Sequence, residues 1–192
     1  MDKARKIVNM IAENLHPLDQ KEQDLLCSIL VEKSLKKGEL LLRDGDIARD
    51  IYWVEKGMLR QFYYKDGRDV TEHFACEDQG ALCINSLFLQ EPSSILMEAL
   101  EDSTVLLMPY NKFIKLAQKH PQLATLLRKI LEGSLIMSQQ KADSWRYETV
   151  HERYERFQRE YPDAAKRASV NHIASYLLMT PESLSRVRAG KL

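Results

Sequence analysis

Residues Leu59-Arg60-Gln61-Phe62-Tyr63-Tyr64-Lys65-Asp66-Gly67-Arg68-Asp69-Val70-Thr71-Glu72-His73-Phe74 decide the fold class. Two runs rich in aromatic and β-branched side chains flank an Asp-Gly pair, and a two-residue turn between such runs needs a positive φ that glycine adopts at little cost. The stretch predicts an antiparallel hairpin. Outward from it, Gly38, Gly45, Gly57 and Gly80 continue the punctuation at spacings of 7 to 13 residues. Between them lie the apolar runs 40–42 and 51–54, and a last run from Ser103 to Met108 closes the unit. Short strands at such spacing predict an antiparallel sandwich or barrel over residues 35–109.

Helical periodicity surrounds this β-unit. Asp2 to Asn14 and Asp19 to Lys33 carry apolar residues at three- and four-residue intervals, separated by His16-Pro17, where proline disfavours helix in the residue before it. A short helix is expected from Tyr110 to Lys119 and the longest from about Gln122 to Tyr147. The long helix bears Leu123, Leu126, Leu127, Ile130, Leu131, Leu135 and Met137, a stripe too wide for one partner, with Gly133 and Ser134 permitting close backbone approach. A helix of about 25 residues spans roughly 37 Å, longer than one small β-domain, so part of it is expected to pair with a second copy in a homodimer.

Composition excludes several function classes. The 192 residues support one domain or two small ones, not a large multidomain enzyme. The 28 basic residues balance the 28 acidic ones, but unevenly: from residue 153 onward eight basic residues, Lys191 among them, face four acidic. A neutral body carries a basic end. Cys27, Cys76 and Cys83 are an odd count with no Cys-x-x-Cys pair, which argues for a reducing compartment and ordinary buried thiols. No run of 18 apolar residues occurs, so the expectation is a cytoplasmic protein with no membrane partner. His16, His73, His120, His151 and His172 are scattered without ligand spacing; no metal, no cofactor and no enzymatic activity are expected.

The basic end holds the most informative chemistry. Thr149-Val150-His151-Glu152 has the Thr-x-x-Glu pattern of a capping box, so a new helix is expected to run to Tyr161 with Arg153, Arg156 and Arg159 on its exposed side, and Pro162 to end it. From Ser169 the chain predicts two short helices. Ser169 suits the N-cap of the first, whose Ile173 and Leu177 face inward; Thr180 suits the N-cap of the second, with Pro181 at its first position, where a missing N–H costs nothing. Leu184 and Val187 turn inward and Ala174 is small at the crossing. This is a helix-turn-helix pattern. It leaves Glu182, Ser185, Arg186 and Ala189 exposed, with Ser183 and Arg188 to the sides. Arginine can donate twice to guanine, glutamate can accept from cytosine, and hydroxyls can meet phosphate oxygens. Read singly, Glu182 and Arg186 are an ordinary i,i+4 surface pair; together with the caps and the basic surroundings they point to double-stranded DNA.

The order of these parts resembles the Crp-Fnr transcription regulators of bacteria. The resemblance covers residues 18–192 and rests on Lys37-Gly38-Glu39, Gly45-Asp46, Tyr52-Trp53-Val54-Glu55-Lys56-Gly57, Gly80 and, above all, Thr180-Pro181-Glu182-Ser183-Leu184-Ser185-Arg186. It implies an α+β fold: an antiparallel β-roll of the double-stranded β-helix (jelly-roll) type as cyclic-nucleotide-binding-like sensor, a long dimerisation helix, and a C-terminal helix-turn-helix. The implied division is residues 1–120 for the N-terminal helices and β-roll, 121–148 for the dimerisation helix and hinge, and 149–192 for DNA binding. Pro181, Glu182 and Arg186 would then face bases, Ser169 and Ser183 would lie near phosphates, and Ser185 and Arg188 would complete the DNA-contacting set.

Two departures stand out. The turn between the two helices carries Leu178 where the family usually has glycine, and the chain ends at Leu192 with no evident β-hairpin wing, natural or by truncation. In cyclic-nucleotide-binding relatives a glutamate takes the ribose hydroxyl and an arginine neutralises the cyclic phosphate; alignment puts Asn85 and Ser93 at those positions. A buried phosphate without its guanidinium would be poorly compensated, so cyclic AMP is not the expected effector. An effector pocket for an unknown small molecule would draw on Cys83, Ile84, Asn85, Ser86, Ser93 and Ser94. The iron–sulfur branch needs clustered cysteines, and Cys27 stands alone near the start. Expected partners are double-stranded DNA, a second copy, this effector and RNA polymerase; the competing reading is a ligand-binding or protein-interaction module of the same fold that does not touch DNA.

Overall fold

The computed structural model describes residues 2–190; Lys191, counted above in the basic end, lies outside them. The fold is α+β, built on two antiparallel four-stranded sheets. One sheet has the strand order β1 (Val31–Leu35), β8 (Ser103–Pro109), β3 (Asp50–Lys56), β6 (Gly80–Ala81). The other runs β2 (Leu40–Leu42), β7 (Leu96–Ala99), β4 (Leu59–Lys65), β5 (Arg68–Ala75). The hairpin read from the sequence joins β4 to β5: Lys65 pairs with Arg68, and Asp66 and Gly67 both have positive φ, 52° and 72°, the pattern of a type I′ turn. A bulge at Gln61/Phe62 leaves Glu72 as the extra residue of β5.

Period-2 burial sets what each sheet face touches. Leu35, Tyr52, Val54, Leu59, Met97, Ala99 and Val105 fill the space between the sheets. From the first sheet Ile51, Trp53, Leu106 and Met108 point the other way, into a second core with α1 (Lys3–Asn14), α2 (Gln20–Ile29), α4 (Tyr110–Ala117) and the first half of α5 (Pro121–Tyr147). Gly57, at φ 95°, is held at the β3–β4 turn because a Cβ there would stand 2.2 Å from the Ser103 hydroxyl, which itself accepts from the Met58 amide.

The structure corrects the sequence reading in three places. α2 stops at Ile29 rather than Lys33, and residues 31–35 form β1, paired along their whole length with β8. The helical spacing of Leu25, Leu26, Ile29 and Leu30 hid a change of period that only pairing with a strand 70 residues away in sequence imposes. A short helix α3 (Ile84–Leu89) follows β6, and α7 (Pro162–Arg167) follows Pro162, which opens that helix as well as ending α6 (Val150–Glu160).

α8 (Val170–Tyr176) and α9 (Pro181–Arg188) come last. A third core joins them to the β-roll: Met58, Phe74 and Cys76 pack with Phe157, Tyr161, Ala164, Ile173, Ala174, Tyr176, Leu177 and Leu184. Phe74, Phe157, Tyr161 and Tyr176 form an aromatic box with ring centroids 5.2 to 6.1 Å apart, spacings at which edge-to-face pairs attract beyond their buried area.

Candidate nucleic-acid interface

α8 and α9 are each started by a side-chain cap. Ser169 accepts from the His172 amide and Thr180 from the Ser183 amide, while Pro181 occupies the first turn of α9. Ile173, Ala174, Leu184 and Val187 are buried where the helices meet. Between them the Met179 amide donates to the Ala174 carbonyl and the Leu178 amide to the Ser175 carbonyl, the two bonds of a Schellman turn. Its left-handed residue is Leu178, at φ 54° and half exposed. The position where the resemblance would lead one to expect glycine therefore has the backbone conformation that glycine adopts without strain. Arg153 supports the same turn from α6, its Nη1 donating to the Leu177 carbonyl at 2.9 Å.

On α9 the residues Glu182, Ser185 and Arg186 are exposed, and their i, i+3, i+4 spacing puts them on one face. The Glu182 carboxylate is held below its usual range by hydrogen bonds from its own amide and the Thr180 hydroxyl, so it is an acceptor at neutral pH. Ser183 is half-buried, its hydroxyl 3.2 Å from that of Thr180. Arg188 is exposed but donates to the Tyr154 hydroxyl at 3.1 Å, its guanidinium 5.6 Å from that ring's centre. Ser169 and Pro181 lie at the N-termini of α8 and α9.

The expected basic face of α6 is corrected. Arg153 is turned inward onto Leu177, and Arg156 is tied up by Glu148 at 3.0 Å and Glu160 at 3.2 Å; Arg159 is the arginine of the three left exposed. Formal charge counted along a sequence does not see partners that folding supplies.

Sequence reasoning missed where this unit is seated. β5 is the edge of its sheet, and the C-terminal helices occupy its outer side. The Ser175 hydroxyl accepts from the Thr71 amide at 2.8 Å and donates to the Asp69 carbonyl at 3.0 Å. Lys141 of α5 reaches the Glu72 carbonyl and its carboxylate, the His73 ring is 2.9 Å from the Tyr161 hydroxyl, and Arg167 of α7 bridges Glu77 at 2.6 Å and Glu101 at 2.7 Å. Burial works against the Glu77 carboxylate, but Arg167 and backbone amides hold it down to about 2. Burial pulls His73 down to about 4 and lowers Lys141 despite Glu72.

The residues considered for an effector are largely committed elsewhere. Ser86 accepts from the Ala48 amide and donates to the Glu91 carbonyl; Ser93 exchanges two bonds with Ile95; and buried Cys83 receives a bond from Gln61. Ile84, Asn85 and Ser94 are exposed. A cleft of about 470 Å³ opens instead at a mouth of the roll, lined by other residues, Lys33, Asp46, Arg49, Asp50 and Tyr52 among them. Among the described residues there is no cluster of His, Cys, Asp and Glu suited to a metal ion, and no helix is long and apolar enough to cross a membrane.

Comparison with known proteins agrees with this geometry. Residues 32–120 match the family model of the cyclic nucleotide-binding domain. The transcriptional activator Anr of Pseudomonas protegens is 28% identical over an alignment covering 88% of this chain and 74% of that protein. FnrA of Stutzerimonas stutzeri is 29% identical with the same coverages. Among solved structures, FixK2 from Bradyrhizobium japonicum superposes with a TM-score of 0.72 at 24% identity over 84% of each chain. The catabolite activator protein of Thermus thermophilus gives 0.59 at 20% identity, over 94% of this chain and 85% of that one.

Proposed function

We propose that this chain is a transcription regulator of the Crp-Fnr type, to which its relatives and its fold are similar, and that it acts as a cytoplasmic homodimer that reads double-stranded DNA with α9 and performs no catalysis. The observation that carries the reading is the exposed face of Glu182, Ser185 and Arg186 on a helix whose opposite side is packed into a helix-turn-helix core. In this reading Arg186 and Glu182 contact base edges, Pro181 packs against them, and Ser169, Ser183 and Ser185 meet backbone phosphates beside the N-termini of α8 and α9. Arg188 joins the phosphate contacts from its perch on Tyr154. Residues 1–120 serve as sensor-like roll, 121–148 as pairing helix and 149–192 as reader. RNA polymerase is the further partner that regulation of transcription adds.

Pairing rests on α5. Leu135, Ile136 and Met137 are all exposed; consecutive helical residues point about 100° apart, so this part of the helix lies uncovered on most of its circumference. We place no effector against Cys83, Ile84, Asn85, Ser86, Ser93 and Ser94, because the hydroxyls of Ser86 and Ser93 are spent internally and the resemblance puts Ser93 where a phosphate-neutralising arginine would be needed.

Selection of bound sequences from a random duplex pool with purified protein tests the reading. A two-fold-symmetric consensus is expected. Arg186→Ala should relax preference at one base pair of each half-site at a cost of about 1–3 kcal/mol. A pool with no enriched sequence, or binding that is flat in salt where phosphate contacts demand a steep decline, would return the protein to the protein-interaction reading.

A further inference from the structure

The covalent path from α5 to α6 is Glu148 and the Thr149 cap, with Glu148 in extended backbone. So slender a joint leaves the orientation of α8 and α9 to non-covalent contacts, and beside the Arg167 bridges to Glu77 and Glu101 the directional ones made by α8 itself are on β5. Asp69 and Thr71 pair with Tyr64 and Phe62 of β4. The Thr71 amide and Asp69 carbonyl point to the strand's open side, where a further strand would take both. One hydroxyl takes them instead, that of Ser175. From the sheet face the Arg60 guanidinium holds the side chains of the same two residues, Nη2 at 2.9 Å from the Asp69 carboxylate and Nη1 at 3.2 Å from the Thr71 hydroxyl, with Nε at 2.7 Å from Glu98. The Arg60 side chain is 3% exposed, so this segment of β5 is fixed on both sides of its backbone.

We propose that Ser175 is a positioning residue for DNA reading: by standing in for a missing peptide group on the edge of β5 it sets the angle at which each subunit presents α9, and hence the half-site spacing the dimer accepts. The spacing consequence rests on the DNA-reading function proposed above; the clamp does not. In a symmetric dimer the two reading helices must sit about one helical turn of DNA apart, roughly 34 Å, so a small rotation of α8 on β5 changes the accepted spacing without changing which bases Arg186 and Glu182 meet. The aromatic box packs without strong direction, whereas two bonds to one hydroxyl fix both the register along the strand and the rotation of the helix.

The test uses the full chain with Ser175→Ala and, as rescue, Ser175→Thr, which keeps the hydroxyl. Amide exchange at Thr71 should be about tenfold faster in Ser175→Ala, as for loss of one ordinary hydrogen bond, and return toward the native rate in Ser175→Thr, while core amides of β3 and β8 stay protected. Selection from duplex pools in which the half-site separation is randomised should give Ser175→Ala a broader set of separations with the same half-site bases. Thr71 exchange that does not change overturns the clamp. Faster exchange with an unchanged spacing preference overturns the positioning role. Native protein that selects no DNA sinks the functional reading alone, and leaves the exchange experiment to decide the clamp.

Discussion

Leu178 holds a left-handed backbone conformation that costs a side-chain-bearing residue roughly 1–2 kcal/mol, partly offset because glycine has more freedom to lose on folding. Leu178→Gly should therefore raise stability by about 0.5–1 kcal/mol, read as a higher urea midpoint with unchanged slope; a lowered midpoint would mean that its half-exposed side chain packs better than its surroundings suggest. His73 makes a pH prediction. Its imidazole is packed against Tyr161 and the Gly80 carbonyl with Lys141 nearby, and burial holds it neutral down to about pH 4. The unfolded chain takes up that proton near pH 6.5, before the folded one does. Stability should thus be fully present above pH 6.5 and decline as pH falls from 6.5 to 4, by on the order of 3 kcal/mol. His73→Gln should flatten that interval. Glu77 acts lower: its depressed carboxyl is lost as a stabiliser only as pH falls from the ordinary glutamate range toward 2.

At the scale of elements, legibility followed the range of the interaction. The turn at Asp66-Gly67, the capping box joining Thr149 to Glu152, and the Thr180-Pro181 start of α9 are contacts within a few residues, and each could be read from the chain. Strand β1 could not, because residues 31–35 owe their conformation to residues 103–107. The face of α9 was legible from periodicity alone. Its seat was not: Ser175 meets Thr71 across 104 residues, and nothing in Ile173-Ala174-Ser175-Tyr176 marks that serine as different from a surface hydroxyl. The arginines of α6 erred for the same reason, since Glu148 and Leu177 are brought to them by folding.

For the whole molecule, α5 is both spine and free surface. Its first half is buried against the helices and sheet of the roll, residues 135–140 are exposed, and Lys141 ties it to β5 between Trp145 and Tyr176. Leu135→Glu combined with Ile136→Glu should leave secondary structure unchanged and give a monomer in sedimentation at micromolar concentration, with DNA affinity reduced at least 100-fold because two half-sites can no longer be engaged together. A dimer that survives both charges would move the pairing surface off this helix.

The sealing of β5 also bears on solubility. The Thr71 amide and Asp69 carbonyl, taken by Ser175 of the terminal helices, become, once those helices swing off, open to any extended polypeptide. An undocked reader would expose that margin and the aromatic box together, and neighbouring molecules would zip onto it. Freeing the last helices is therefore expected to cost this protein its dispersal as well as its reader's orientation.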